Sequence, residues 1–206
     1  MEKFNSLDPF KQQTILNAAL EEFAENGYES ASTNQIVKKA GIGKGMLFYY
    51  FKSKKGLFHY LVGYSLDLIV DEYFNLVDVS EKDFIERLKQ ASKVKLKAQT
   101  ENKHVFNFIG MVMLEKELDL PAHLQEQFEE MQRQGYALIY EGIDKSLFKR
   151  DMDVDKTFNL IRWAIEGYQN ELLRQLEGRK MAAIDFDPYW REFYEYLEIL
   201  KRNFYK

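Results

Sequence analysis

Lys38, Lys39, Lys44, Lys52, Lys54 and Lys55 fall between Glu29 and Asp67, in a window that holds no acidic residue. The whole chain carries a formal net charge of −4, so six local positive charges stand on an otherwise more acidic molecule. Such asymmetry is the electrostatic footprint of a surface that meets phosphate. Lys44, Lys54 and Lys55 also lie near expected helix starts, where the helix dipole disfavours cations and a bound polyanion would offset the cost. Any one of these lysines alone would be an ordinary solvated side chain. The constellation points to nucleic acid.

Two short helical patterns around a glycine must position these charges. Ser32 can cap the first, with Gln35 at capping-box spacing, and Ile36, Val37 and Ala40 supply its apolar face. Gly41 suits the positive φ that lets one helix stop and the next leave steeply. The second pattern covers residues 44–50, with Leu47 and Phe51 spaced to face inward. Helix, glycine turn, helix is the helix-turn-helix signature.

Composition closes off other classes. Cysteine is absent, which removes disulfides and thiolate metal sites and agrees with a reducing compartment. The start of the chain lacks a signal-peptide run, and the most apolar later stretch, residues 105–114, is too short to cross a bilayer. A cytoplasmic protein with no membrane partner is expected. The three histidines, His59, His104 and His123, have no metal-ligand spacing, and no nucleophile or phosphate-loop motif is present. Carboxylate pairs such as Glu115 with Glu117, or Glu129 with Glu130, belong to solvated helix faces. Neither enzyme activity nor a cofactor or metal is expected.

Long 3.6-residue periods and only three prolines predict an all-α chain of nine helices. The first helix is expected over residues 8 or 9 to 26, ending at Gly27, and Ser53 caps a connector over 54–77. Further helices are expected over 80–99, 104–117, 121–148, 153–178 and 188–204, with Gly135 marking a close neighbour or a kink. This divides the chain into a three-helix domain (1–53), a connector (54–77) and a roughly six-helix bundle (78–206).

The stretch from residue 10 to 58 resembles the N-terminal domain of the tetracycline-repressor (TetR) family of bacterial transcription regulators. The likeness rests on Ile15, Ala18, Ala19, Phe23, Gly27 and Tyr28, then Ile36, Ala40, Gly41, Lys44, Gly45, Leu47, Tyr50, Phe51, Ser53, Lys54, Leu57 and Phe58. It implies a homodimer binding a palindromic double-stranded operator, with helix 44–50 in the major groove. On that likeness Ser32, Thr33 and Asn34 approach phosphate or a base edge; Lys44, Gly45 and Met46 lie at the groove; Tyr49 and Tyr50 contact backbone or bases; and Lys54 grips phosphate. Gly43, Phe48 and Gly56 depart from the family pattern, which commonly has Ser or Thr, Tyr and an acidic residue there.

The resemblance further implies a pocket for a small effector inside the C-terminal bundle. Its aromatic and sulfur-bearing residues nominate Phe106, Phe108, Met111, Tyr136, Tyr140 and Trp163, with Gln169 as an orienting polar group, and favour a hydrophobic or amphipathic ligand. The apolar seams of the last two helices nominate Tyr168, Leu172, Leu176, Phe193, Leu197 and Leu200 as a dimer interface. The resulting expectation is a ligand-responsive regulator, a repressor released by its effector. A helical adaptor whose basic segment meets an acidic protein is the alternative.

Overall fold

The computed structural model describes residues 2–115, 119–180 and 183–206. Among them the chain forms ten α-helices: α1 (Glu2–Asn5), α2 (Pro9–Ser30), α3 (Thr33–Ala40), α4 (Lys44–Phe51), α5 (Lys54–Glu72), α6 (Phe84–Glu101), α7 (Lys103–Leu114), α8 (Ala122–Tyr140), α9 (Val154–Leu176) and α10 (Asp187–Phe204). The all-α expectation holds. The tenth helix is α1, which the sequence did not announce. Its Phe4 is fully buried, with its ring against Tyr50, Phe51 and Tyr60 at centroid distances of 5.6, 4.9 and 5.7 Å.

Local chemistry sets the boundaries. Asp8 caps α2 by accepting from Lys11 N–H, and Gly27 leaves helical geometry at φ 67°. Ser53 caps α5 and Asp153 caps α9. Two helices end earlier than their periodicity suggests. The connector α5 stops at Glu72 rather than at residue 77, and a 3₁₀ turn, Phe74–Leu76, follows. There the Phe74 ring lies against Gly135 so closely that a Cβ at Gly135 would meet it at 3.1 Å. That contact draws the chain off the helix axis and explains the mid-helix glycine. The helix α8 stops at Tyr140 rather than at residue 148, because Gly142 turns the chain at φ 66°. Its last carbonyls are taken by the buried Arg87, which donates to Leu138 O at 3.3 Å and Glu141 O at 2.6 Å. The expected end of the helix over 104–117 lies outside the described residues; α7 is helical to Leu114.

Two separate apolar cores result. The first joins α1 to α5 with α7 and with Leu124 and Met131 of α8. At its centre the rings of Phe23 (α2), Phe58 (α5) and Phe108 (α7) stack edge to face at 5.2, 6.2 and 5.4 Å. The second core joins Phe84, Ile85 and Leu88 of α6 to Phe158, Ile161 and Ile165 of α9 and to Phe193 and Leu197 of α10. The C-terminus is tied to this core, with Lys149 N–H donating to Phe204 O and Lys206 N–H to Leu147 O. The helix α7 lies against α2 and shares the first core with it.

Candidate nucleic-acid interface

The turn between α3 and α4 is built as its residues require. Ser32 Oγ accepts from Gln35 N–H at 3.4 Å, and Gly41 adopts φ 63° with its N–H satisfied by carbonyls of α3. Ile36, Ala40, Leu47 and Phe51 are buried, which fixes the crossing of the two helices against α2. A second brace was not visible as a motif. Glu22 of α2 is buried, and its carboxylate accepts from Ser32 N–H at 2.9 Å and from Asn26 Nδ2 at 3.1 Å. It clamps the start of α3 to α2.

That scaffold turns one face of α4 outward. Lys44, Gly45 and Tyr49 are exposed, while Met46, Phe48 and Tyr50 are half-buried. Gly45 has open space where a Cβ would be, so another backbone can approach there. Gly43 leaves α4 without a side-chain cap, as its sequence implies. Ser32 and Thr33 are half-buried and Asn34 is exposed beside that face. Tyr50 is held inward by Phe4. Lys3, unremarked in the sequence, places its ammonium 4.6 Å from the centre of the Tyr49 ring.

The six lysines divide by occupation. Lys38 and Lys44 are exposed and make no hydrogen bond or ion pair with any described residue. Lys39 pairs with Glu21 at 3.4 Å, and Lys52, at φ 67°, returns to Tyr49 O at 3.2 Å. Lys55 pairs with Asp119, a hydrogen bond and charge that together raise its pKa. Lys54 donates to Glu29 O at 2.9 Å and lies 5.1 Å from the Tyr28 ring centre, so it also secures the end of α2. Lys44 opens α4, and Lys54 and Lys55 open α5, which places all three cations at helix N-termini.

Gly56 changes meaning. It is a departure from the family pattern, but a Cβ there would lie 2.2 Å from Phe51 O, so the tight entry into α5 requires glycine.

The nominated effector residues do not gather around one cavity. Phe108 and Met111 are buried in the first core with Phe106 packed against it, and Tyr140 packs on the second. Tyr136, Trp163 and Gln169 are exposed. A cleft of about 410 Å³ lies instead between α5 and α8, over Leu66, Val70 and Met131 with Asp67, Asp71 and Glu130 at its edges. The nominated dimer residues also shift. Leu176, Phe193 and Leu197 are buried within the monomer, and Tyr168, Leu172 and Leu200 are half-buried. The seams are apolar because the second core needs them. The outward faces carry Leu160, Trp163 and Gly167 on α9 and Tyr196 and Ile199 on α10.

Among the described residues no cluster of histidine and carboxylate side chains is placed to hold a metal ion, and no helix is long and apolar enough to cross a membrane. His59 Nε2 lies 3.1 Å from Asp119 O, burial lowers the pKa of His104, and His123 is exposed.

A braced pair of short helices, presenting the unpaired cations Lys38 and Lys44 from a stretch of sequence without acidic residues, has the form of a helix-turn-helix DNA-binding unit. Residues 15–61 match the family described as bacterial regulatory proteins, tetR family. The HTH-type transcriptional regulator SAB2452 of Staphylococcus aureus (strain bovine RF122 / ET3-1) is 31% identical over 172 residues, spanning 79% of this chain and 90% of the relative. The HTH-type transcriptional repressor KstR2 of Mycobacterium tuberculosis (strain ATCC 25618 / H37Rv) is 26% identical over 178 residues, 82% of this chain and 88% of that one. The crystal structure of a TetR family transcriptional regulator from Chloroflexus aurantiacus J-10-FL shares the fold, with a TM-score of 0.63 at 23% identity over 100% of this chain and 98% of that one. The chain belongs to the tetR family of regulatory proteins. It is a DNA-binding transcriptional regulator, as its relatives are, and not an enzyme.

Proposed function

We propose that the protein is a repressor that binds a palindromic operator as a homodimer and releases it when a small hydrophobic or amphipathic effector enters the C-terminal bundle. The observation that carries the reading is the outward face of α4, where Lys44 and Tyr49 flank the open backbone of Gly45. Thr33, Asn34, Lys38 and Lys44 would meet phosphates, and Gly45, Met46 and Tyr49 would lie closest to base edges. Lys54 would hold phosphate with the donors that its bond to Glu29 O leaves over. The acidic-partner adaptor has no separate support, because the relatives are transcriptional regulators.

Two helix-turn-helix units reach successive major grooves only when a dimer spaces them by about one helical turn, ~34–36 Å. For that dimer the outward residues Leu160, Trp163, Tyr196 and Ile199 fit better than the inward seams, since they are exposed and apolar. Gly167 leaves open space for a partner helix to approach. Effector occupancy would act through α5 and also through α7, since both share the first core with α2. An effector shifts DNA affinity only by its differential affinity for the two states. The test is retardation of duplexes from the protein's own promoter region at low salt. Loss of a retarded band in Lys44→Ala and Tyr49→Ala, with the dimer intact, supports the reading. Failure of the folded wild-type dimer to retard any such duplex would sink it.

A further inference from the structure

Lys95 sits at the centre of the buried face of α6. Residues 84, 88, 91, 95 and 98 form one helical stripe, and Phe84, Leu88, Ala91 and Ala98 on it are all buried. Lys95 alone among the five is exposed. Its solvent access, from a position on the inward stripe, points to a space inside the bundle. Ala91 and Ala98, about one turn away on either side, are too small to fill such a space. It falls between the two cores, because neither includes Ala91 or Ala98.

The ammonium there has no answer from the protein. No described residue gives Lys95 a hydrogen bond or ion pair, and protein encloses it closely enough that burial alone lowers its pKa. A second orphan stands at the same height. The helices α6 and α10 run antiparallel, with Lys201 on Asp83 and Glu86, Glu198 on Lys89 and the Tyr194 hydroxyl on Ser92. One further turn of α10 brings Trp190 level with Lys95. Its indole Nε1 is buried and has no hydrogen-bond partner. An unpaired ammonium and an unused buried donor at one level of the bundle are each costly, and a single anion reaching both would answer them.

We propose that the space at Lys95 binds the anionic head of an amphiphile, a carboxylate or phosphate ester whose apolar body lies between the two cores. The head accepts from Lys95 Nζ and Trp190 Nε1. Its binding stands on this geometry alone, and only its effect on DNA rests on the effector reading above. A neutral chain of equal length leaves both donors unanswered and binds less well.

The experiment compares dodecanoate, dodecyl phosphate and dodecanol, each below micelle formation, by tryptophan fluorescence titration and by Tm. Wild type, Lys95→Met and Lys95→Arg are tested. At least one of the two anions is expected to bind wild type about tenfold or more tightly than dodecanol, which identifies the preferred head. Lys95→Met should lose that tenfold margin and Lys95→Arg should recover most of it. Equal affinity for anion and alcohol, no binding of either anion, or full anion affinity in a folded Lys95→Met protein overturns the proposal. Operator retardation is then measured with the bound anion. Lys95-dependent binding that leaves operator affinity unchanged retains the site and overturns its role as the effector switch.

Discussion

Glu22 touches no ligand, yet its carboxylate holds the first residue of the α3 turn through Ser32 N–H. Glu22→Ala leaves that N–H unpaired in a half-buried setting, at a cost of about 1–3 kcal/mol. Chemical denaturation should show the loss, and operator affinity should fall with the salt slope unchanged, because every phosphate keeps its cation. Lys44→Ala should do the reverse. Stability should hold, and the log–log salt slope should flatten by about 0.9 for each phosphate that the protein no longer neutralises. Lys54→Ala should combine the two, because Lys54 is also bonded to Glu29 O. An unchanged slope in Lys44→Ala would remove it from the phosphate set. Lys95 adds a pH dependence. Burial lowers its folded pKa and no charged neighbour opposes the shift. The charged form therefore destabilises the empty protein fully below the folded pKa, and the penalty fades as pH rises from there toward the unfolded value. Lys95→Met should melt above wild type at neutral pH, with the gap closing as pH approaches about 10.4. A gap that is constant with pH would argue against an uncompensated ammonium.

At the scale of elements, Gly56 decides how α4 joins α5. Gly56→Ala places a methyl where Phe51 O stands 2.2 Å away, so the first turn of α5 must move. Overpacking of this kind costs about 1–3 kcal/mol. Both Tm and operator affinity should fall, whereas Gly43→Ala, with nothing within 4 Å, should cost less, only the preference of the α4 N-cap for glycine over alanine. Equal behaviour of the two variants would show that the close approach is not required. The same elements show what a sequence can and cannot say. Caps and turn glycines are local, so Ser32, Gly41 and Ser53 were legible as helix boundaries, and the acid-free lysine window was legible as a concentration of positive charge. Gly56 was not, because its need arises from a carbonyl five residues back meeting a tight turn. Phe4 was not, because a four-residue helix has too little period to read. The seams of α9 and α10 were legible as apolar, but periodicity alone does not say whether a stripe meets its own chain or another. Leu197 is fully buried in the monomer while Ile199, two residues on, faces out.

For the whole molecule, the outward stripe supplies the remaining prediction. Trp163 is 57% exposed on α9, and Trp163→Arg should convert a dimer to a monomer in sedimentation while helicity is retained. Operator affinity should fall at least tenfold, since each half-site is then bound alone. A dimer unaffected by this change would move the interface elsewhere. A different consequence comes from the ring trio of Phe23, Phe58 and Phe108, which packs α7 into the same core as α2 and α5. The DNA-reading end is not a detachable head. A chimera cut after α5 and joined to a foreign sensor would leave bare the phenyl faces that α7 covers, and it would have to import α7 to stay soluble. On the proposed reading, new operators would be reached by residue changes along α4, and new sensors by changes that spare the surface α7 turns toward α2.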